Sequence, residues 1–380
     1  MKWYFGLIGA ISVGAIGTSM VFNNSVEAIP AFATKTDKNC SYCHSPWPQL
    51  NAKGRAYKNA GYRLPEEVGK DTGSFLEDGF PVSAVLVARP YDKKGSGDYK
   101  NRALHEAEVI VAASLGKNLS GFFELEAEDE TDFNIEVPQA ALTYTVRDEL
   151  NIQVSYGDMF FADPYGLLAD HFRLTRGHVG AIDQKYGGAD NKLRSRRQNL
   201  TAYGRVSERV FYMLGYSGNA GDAEGVDAKN ILFRGGVDIT DNIMVGGFYL
   251  DGKNSVSDRD YSRVGIDFLA EVKDFRISGV YVNAKDDTPD LLGDVSNNAW
   301  SVQGSYLFKK ENGQPTFVPT LRLDQYEKNN GMDKYSEISV NFAYYPVQNA
   351  KIYLEYWDRF DVPVGADKDH RLTLQAAFTF

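Results

Sequence analysis

Residues 39–50 of this 380-residue chain read NCSYCHSPWPQL, and both cysteines of the chain fall within that stretch. Two residues separate Cys40 from Cys43, and His44 follows directly. This is the spacing of c-type haem attachment. Each thiol can form a thioether with one vinyl group of the ring, and two intervening residues set the sulfurs the required distance apart. The imidazole that follows then gives its nitrogen to the iron. Cys40, Cys43 and His44 are therefore the expected cofactor-binding residues, His44 the expected metal ligand, and one covalent haem c the expected cofactor. Rival chemistries fit less well. A thioredoxin-like redox pair wants a βαβ context, which is absent. A zinc half-site needs two further soft ligands, and there is no other cysteine. A disulfide between residues so close closes too short a loop to stabilise much. Coincidence would have to put both cysteines into the pattern.

The second axial position is open in sequence. Between residues 29 and 79 there is no methionine, and His44 is the only histidine. A self-contained small cytochrome supplies its own Met or His. The distal ligand is therefore left to a later residue, to water or to another donor. Met159 is placed on an inward face by strand alternation, and His171 and His178 lie on a long loop; plain wall-lining or solvent-exposed roles compete for all three. Lys53 and Arg55 fit haem propionates and a solvated helix face equally well.

These residues need something to position them. Residues 1–28 have the layout of a secretory signal, with Lys2 before an apolar stretch and a small residue, Ala28, at the cut. An uncleaved anchor is the alternative, and both readings export the rest. Residues 29–67 form a small segment with one helix expected over 48–62, Gly61 being a stop and Pro65 a firmer one. So short a segment cannot bury enough apolar surface alone. It needs a covalent staple or a larger host. Residues 68–79 read as a linker.

From residue 80 to 380 the hydrophobic period becomes two. In HRLTLQAAFTF, Leu372, Leu374, Ala376, Phe378 and Phe380 share one face, and Arg371, Thr373, Gln375 and Thr379 the other. Long strands with apolar-out, polar-in alternation indicate a transmembrane β-barrel. A soluble sandwich also alternates, but strand length and the aromatic final strand favour the barrel. Sixteen strands are expected, among them 80–91, 102–116, 119–128, 149–161 and 315–328. Short turns at 116–118, 147–149, 207–209, 239–242, 272–274, 310–313 and 346–349 all follow even-numbered strands, so one end carries short turns and the other the longer loops. A strand at 175–187 would break that alternation and is rejected. The predicted fold is all-β: a 16-stranded antiparallel porin-like barrel in the outer membrane, with the N-terminal segment plugging its lumen. Alternation puts Glu106, Glu108, Glu124, Glu126, Glu128, Arg322, Asp324, Lys351 and Glu355 on the inner wall. The loop 162–195 is long and basic, and by analogy with 16-stranded porins it folds inward.

The chain contains 22 Phe, 23 Tyr and 36 Gly but only 6 Met, and its net charge is −10. That charge excludes nucleic acid as a partner class, since nothing basic and continuous faces phosphate. Outer-membrane lipid is the expected surroundings. The acidic run Glu124, Glu126, Glu128, Asp129, Glu130, Asp132 suits hard divalent ions; a solvated loop that binds Ca²⁺ or Mg²⁺ at the lipid surface outweighs a dedicated iron site.

Over residues 30–62 the chain resembles the outer-membrane monohaem cytochrome–porin fusions of iron-oxidising bacteria. The shared residues are Pro30, Phe32-Ala33, Cys40, Cys43-His44, Pro48, Leu50-Asn51, Gly54-Arg55, Tyr57 and Gly61-Tyr62. The resemblance implies haem attachment at Cys40 and Cys43 with His44 proximal. It also implies oxidation of extracellular Fe(II), an iron:cytochrome c oxidoreductase type of electron transfer, with a periplasmic c-type cytochrome as acceptor. A diffusion porin with a structural or regulatory haem plug is the alternative, and a five-coordinate haem enzyme such as a peroxidase a third.

Overall fold

The computed structural model describes residues 31–71, 81–147, 149–169, 172–186, 192–220, 224, 230–254, 259–287 and 294–380. The expected signal at 1–28, residues 72–79 of the expected linker and His171 lie outside the described residues.

Alternation in the sequence becomes the two faces of a closed sheet. Strands run from β1 (Val82–Lys94), β2 (Tyr99–Leu115) and β3 (Leu119–Glu128) to β16 (Ala350–Asp361) and β17 (Asp369–Thr379). With β12 (Val295–Tyr306) and β13 (Phe308–Lys309) taken as one strand, each strand pairs antiparallel with its sequence neighbours, and β17 pairs with β1, which closes the barrel. β12 and β13 are two pieces of one strand, both paired with β14 (Pro315–Lys328). Between them Leu307 is buried, and its N–H still bonds Asp274 O at 2.8 Å. The barrel thus has the sixteen strands expected. The boundaries 119–128 and 315–328 agree with the sequence reading residue for residue.

Outward side chains are apolar: Leu354, Leu374 and Phe378 are exposed, while Thr373, Ala377 and Thr379 face inward and are buried. An aromatic ladder crosses the short-turn end, from Phe275 to Tyr306 to Phe308 at 4.7 Å steps, then Phe317 and Phe342. Such girdles mark the membrane interface. No described helix is long and apolar enough to cross a membrane, so crossing rests on the strands.

Tight turns hold the register at one end. Ser207 and Glu208, between β6 (Arg197–Val206) and β7 (Val210–Ser217), both have positive φ, 50° and 58°. That left-handed backbone closes a three-residue turn, 207–209, between the paired residues Val206 and Val210. At the other end β1 and β2 extend beyond the expected 91 and 102, so their loop shrinks to 95–98. Loop length therefore separates the two ends less sharply than the sequence reading held. No strand occupies 175–186; a short helix, α3 (Gly180–Asp183), lies there instead.

Inside, the connection after β5 (Leu150–Gly157) turns into the barrel. Gly180 N–H donates to Asp324 Oδ1 at 2.8 Å, Ala181 N–H to Ser301 Oγ at 2.9 Å and Arg176 N–H to Glu355 Oε2 at 2.8 Å. Phe160, Leu168 and Ile182 are buried in one cluster with Phe211 and Leu250 from the wall.

Candidate functional site

The segment before the barrel has three short helices: α1 (Ala31–Thr36), a 3₁₀ turn at Cys40–Tyr42 and α2 (Ala52–Asn59). α1 has no counterpart in the sequence reading, and α2 is shorter than the helix expected over 48–62. Asn51 explains the later start. Its side chain accepts from Gly54 N–H at 3.0 Å, a helix N-cap. The C-terminus follows the sequence signal: Gly61, at φ +64°, bonds Lys58 O, and Tyr62 N–H bonds Tyr57 O at 3.0 Å. This pair is the Schellman arrangement that glycine permits.

Asn51 also ties the helix to the cysteine loop. Its amide donates to Tyr42 O at 3.1 Å, and its backbone N–H to Cys43 O at 2.9 Å. Within the loop, His44 N–H bonds Cys40 O at 2.9 Å. Cys40 and Cys43 are free, half-buried thiols. Burial first, then Cys40, pushes the Cys43 thiol up to about 11. The His44 ring has its Nδ1 2.9 Å from Pro48 O. The proton therefore belongs on Nδ1, and Nε2 is the nitrogen left for a metal. Burial lowers the His44 pKa and favours the neutral ring a metal requires. Phe32 stacks on Tyr62 at 5.1 Å and meets Tyr57 edge-on at 5.2 Å, forming an apolar cluster with Leu64, Ala112 and Phe122.

Side chains fasten the segment to the short-turn end of the inner wall. Arg55 Nη2 donates to Asp241 O at 2.8 Å, Arg63 Nη2 to Leu119 O at 2.7 Å and Ser45 Oγ to Glu271 Oε1 at 2.7 Å. Tyr345 OH donates to Trp47 O at 2.9 Å, and the Lys351 ammonium lies 5.4 Å above the Trp47 ring. Lys58 donates to the carbonyls of Phe161 and Asp163. Arg55 and Lys53, equivalent in sequence, thus part company: Arg55 is a buried docking residue, whereas exposed Lys53 lies over the Tyr42 ring at 4.6 Å.

Met159 does not occupy a strand, because β5 stops at Gly157; it is buried in the apolar cluster with Phe160. His178 takes a hydrogen bond from Arg173 Nη1 at its Nδ1, 2.7 Å away.

The inner-wall charges are where alternation put them. Arg322 reaches Asp324 at 2.7 Å and Gly177 O at 2.9 Å, and Glu355 accepts from Asn341 Nδ2 at 2.9 Å. Three features escaped the sequence reading. Arg234 is fully buried between Asp163, 3.0 Å away, and Asp267, 2.9 Å away. Arg276 pairs with Glu271 beside the docked segment. His105 is almost fully buried, although its neighbour Glu106 is also an inner-wall residue. Strict alternation sends one of two adjacent residues outward, so no local signal could have revealed it.

No sequence-family description matches the chain, and no curated protein does. Solved structures do. An anion-selective porin from Comamonas acidovorans superposes with a TM-score of 0.62 at 13% identity, covering 79% of this chain and 98% of the porin. OmpF of Salmonella typhi gives 0.61 at 15% identity, with coverage of 79% and 97%. The outer membrane channel DcaP of Acinetobacter baumannii gives 0.53 at 14% identity, with coverage of 79% and 95%. The chain therefore has the porin fold, a closed antiparallel barrel of sixteen strands of the outer-membrane type.

Proposed function

We propose that this protein is an outer-membrane electron conduit whose N-terminal segment carries one covalent haem c inside a porin-fold barrel. In this reading it oxidises extracellular Fe(II) and passes electrons to a periplasmic c-type cytochrome. The observation that carries the reading is the cysteine loop itself: two free thiols two residues apart, and a histidine whose Nδ1 is held by Pro48 O so that Nε2 is available. The surroundings fit the group. Tyr57 contributes an apolar ring face, and its buried hydroxyl makes no hydrogen bond. Haem c, when bound, supplies a one-electron iron couple. The chain's own residues hold it: Cys40 and Cys43 by thioethers, His44 as proximal ligand, and Asn51 and Gly54 by fixing the loop against α2. Arg55, Lys58 and Arg63 hold the segment in the lumen.

The porin fold favours a second reading, a diffusion porin in which the segment is structural or regulatory. Against open diffusion stand Phe160, Leu168 and Ile182, apolar and buried in the interior where a water-filled channel would leave them wet.

One spectrum tests the conduit. The purified protein in detergent is reduced anaerobically with Fe(II), and the visible bands are followed. Sharp c-type bands that appear promptly are expected. Covalent haem reduced by dithionite but not by Fe(II) would move the reading to another donor or to the haem-bearing porin, and absence of haem would end it. Deletion of residues 29–67 separates the classes: a conduit loses its activity, whereas a porin gains conductance and keeps its role.

A further inference from the structure

We propose that the long-loop mouth of the barrel holds a divalent transition-metal site, formed by His105, Glu106 and Glu128 and extended inward by Glu108 and Glu126. The strand register creates it. Across β2 and β3, Glu106 stands directly opposite Glu128, and Glu108 directly opposite Glu126. Like charges in facing positions destabilise a sheet, and two stacked pairs on one inner face are relieved by a shared proton or by a bound cation. The ligand atoms of His105, Glu106 and Glu128 lie within 4.8 Å of one another, as do those of Glu106, Glu108 and Glu126.

His105 is the independent pointer to a metal. The β1–β2 pairing shifts register between Val87 and Arg89 and again between Arg89 and Asp92. Such bulges re-aim side chains, and this one accompanies the burial of both His105 and Glu106. His105 is 3% exposed. Its Nδ1 lies 2.7 Å from Asp129 Oδ1 and 3.2 Å from Arg102 Nη1, and Arg102 also holds Asp129 at 2.9 Å; the shorter contact, to the carboxylate, sets the proton on Nδ1. Nε2 faces Glu106 Oε2 from 3.8 Å, beyond a direct hydrogen bond but suited to sharing an ion. A carboxylate behind the imidazole is how proteins orient a metal-binding histidine.

The nearby arginines leave the His105, Glu106 and Glu128 trio open, and Arg196 reaches only the Glu126 edge of its extension. Arg102 pairs with Asp129 and Glu130, and Arg196 with Glu126 and Glu136. Among the described residues, no lysine or arginine comes within ion-pair distance of Glu106, Glu108 or Glu128. One imidazole with several carboxylates suits Fe(II), Mn(II), Co(II) or Zn(II) better than Ca²⁺ or Mg²⁺, which prefer oxygen alone. The site stands whether or not the N-terminal segment carries haem.

Co(II) is the probe, titrated into the full-length protein in detergent and read by its visible ligand-field bands. One tight equivalent is expected. His105→Ala and Glu128→Gln should each weaken it at least tenfold, while Glu311→Gln, in a short turn at the opposite end, leaves it unchanged. Cu(II) bound to the unmutated protein adds a test that needs no variant to fold: its electron paramagnetic resonance should show coupling to one imidazole nitrogen. Absence of stoichiometric Co(II) binding would overturn the site. So would binding indifferent to both substitutions, as would a Cu(II) signal without nitrogen coupling. A haem spectrum, where present, is read separately and moves with none of these outcomes.

Discussion

Gly54 faces the carbonyl oxygen of Cys43 so closely that a Cβ added to Gly54 would lie 2.1 Å from it. The first turn of α2 and the cysteine loop therefore share a contact only glycine allows. Gly54→Ala must displace one of them, at about 1–3 kcal/mol, the usual range for overpacking. If the segment carries haem c as proposed, the expected outcome is a severalfold loss of covalently attached haem per protein, measured by haem absorbance after denaturation, with the barrel's circular dichroism unchanged. Full haem content in the variant would show that loop and helix move independently.

Asn51 serves both partners at once, as the cap of α2 and as a donor to Ser41 O and Tyr42 O. Asn51→Ala loses the cap, about 1 kcal/mol, and the loop anchors with it. Asn51→Asp keeps the capping oxygen and loses the amide donor. Segment stability, followed by Trp47 fluorescence in denaturant, should fall in the order wild type, Asp, Ala.

Arg234 holds the inward loop to the wall through Asp163 and Asp267, with all three side chains at 0% exposure. Arg234→Met leaves two buried carboxylates without their partner, a loss on the order of 3–5 kcal/mol. The loop should loosen. Single-channel recordings in planar bilayers should show larger and noisier currents than the parent protein gives. Identical traces would mean that the loop is held mainly by its backbone bonds to Asp324, Ser301 and Glu355.

Lys58 gives the docked segment a pH dependence. Burial against Phe161 and Phe172 pushes its ammonium down to about 8, although Asp163 and Asp158 oppose the shift. In the unfolded chain the value is about 10.4. Between these two values the unfolded chain holds a proton that the docked one has released, so docking strengthens as pH rises through that window. Resistance of the 31–71 segment to proteolysis should grow between about pH 8 and 10. Lys58→Met should abolish the trend.

Much of the fold was legible because its signals are local. Period-two alternation needs only neighbouring residues, and a barrel strand satisfies its two faces wherever it lies, so sixteen strands and the inner-wall charges could be read directly. The stop at Gly61 depends on backbone preference within one turn, and the spacing of Cys40, Cys43 and His44 is by itself what raises the haem c proposal. Tertiary structure decided what depends on partners distant in sequence. Only the docked segment shows that Arg55 belongs to Asp241 O and Lys53 to Tyr42. The loop after β5 turns inward because Asp324, Ser301 and Glu355 offer it buried acceptors from strands more than a hundred residues later. Met159 left the strand because β5 ends at Gly157, where the chain begins that turn. His105 faces Glu106 because β1 and β2 lose register beside it. Register belongs to a pair of strands, and no single stretch of sequence contains it.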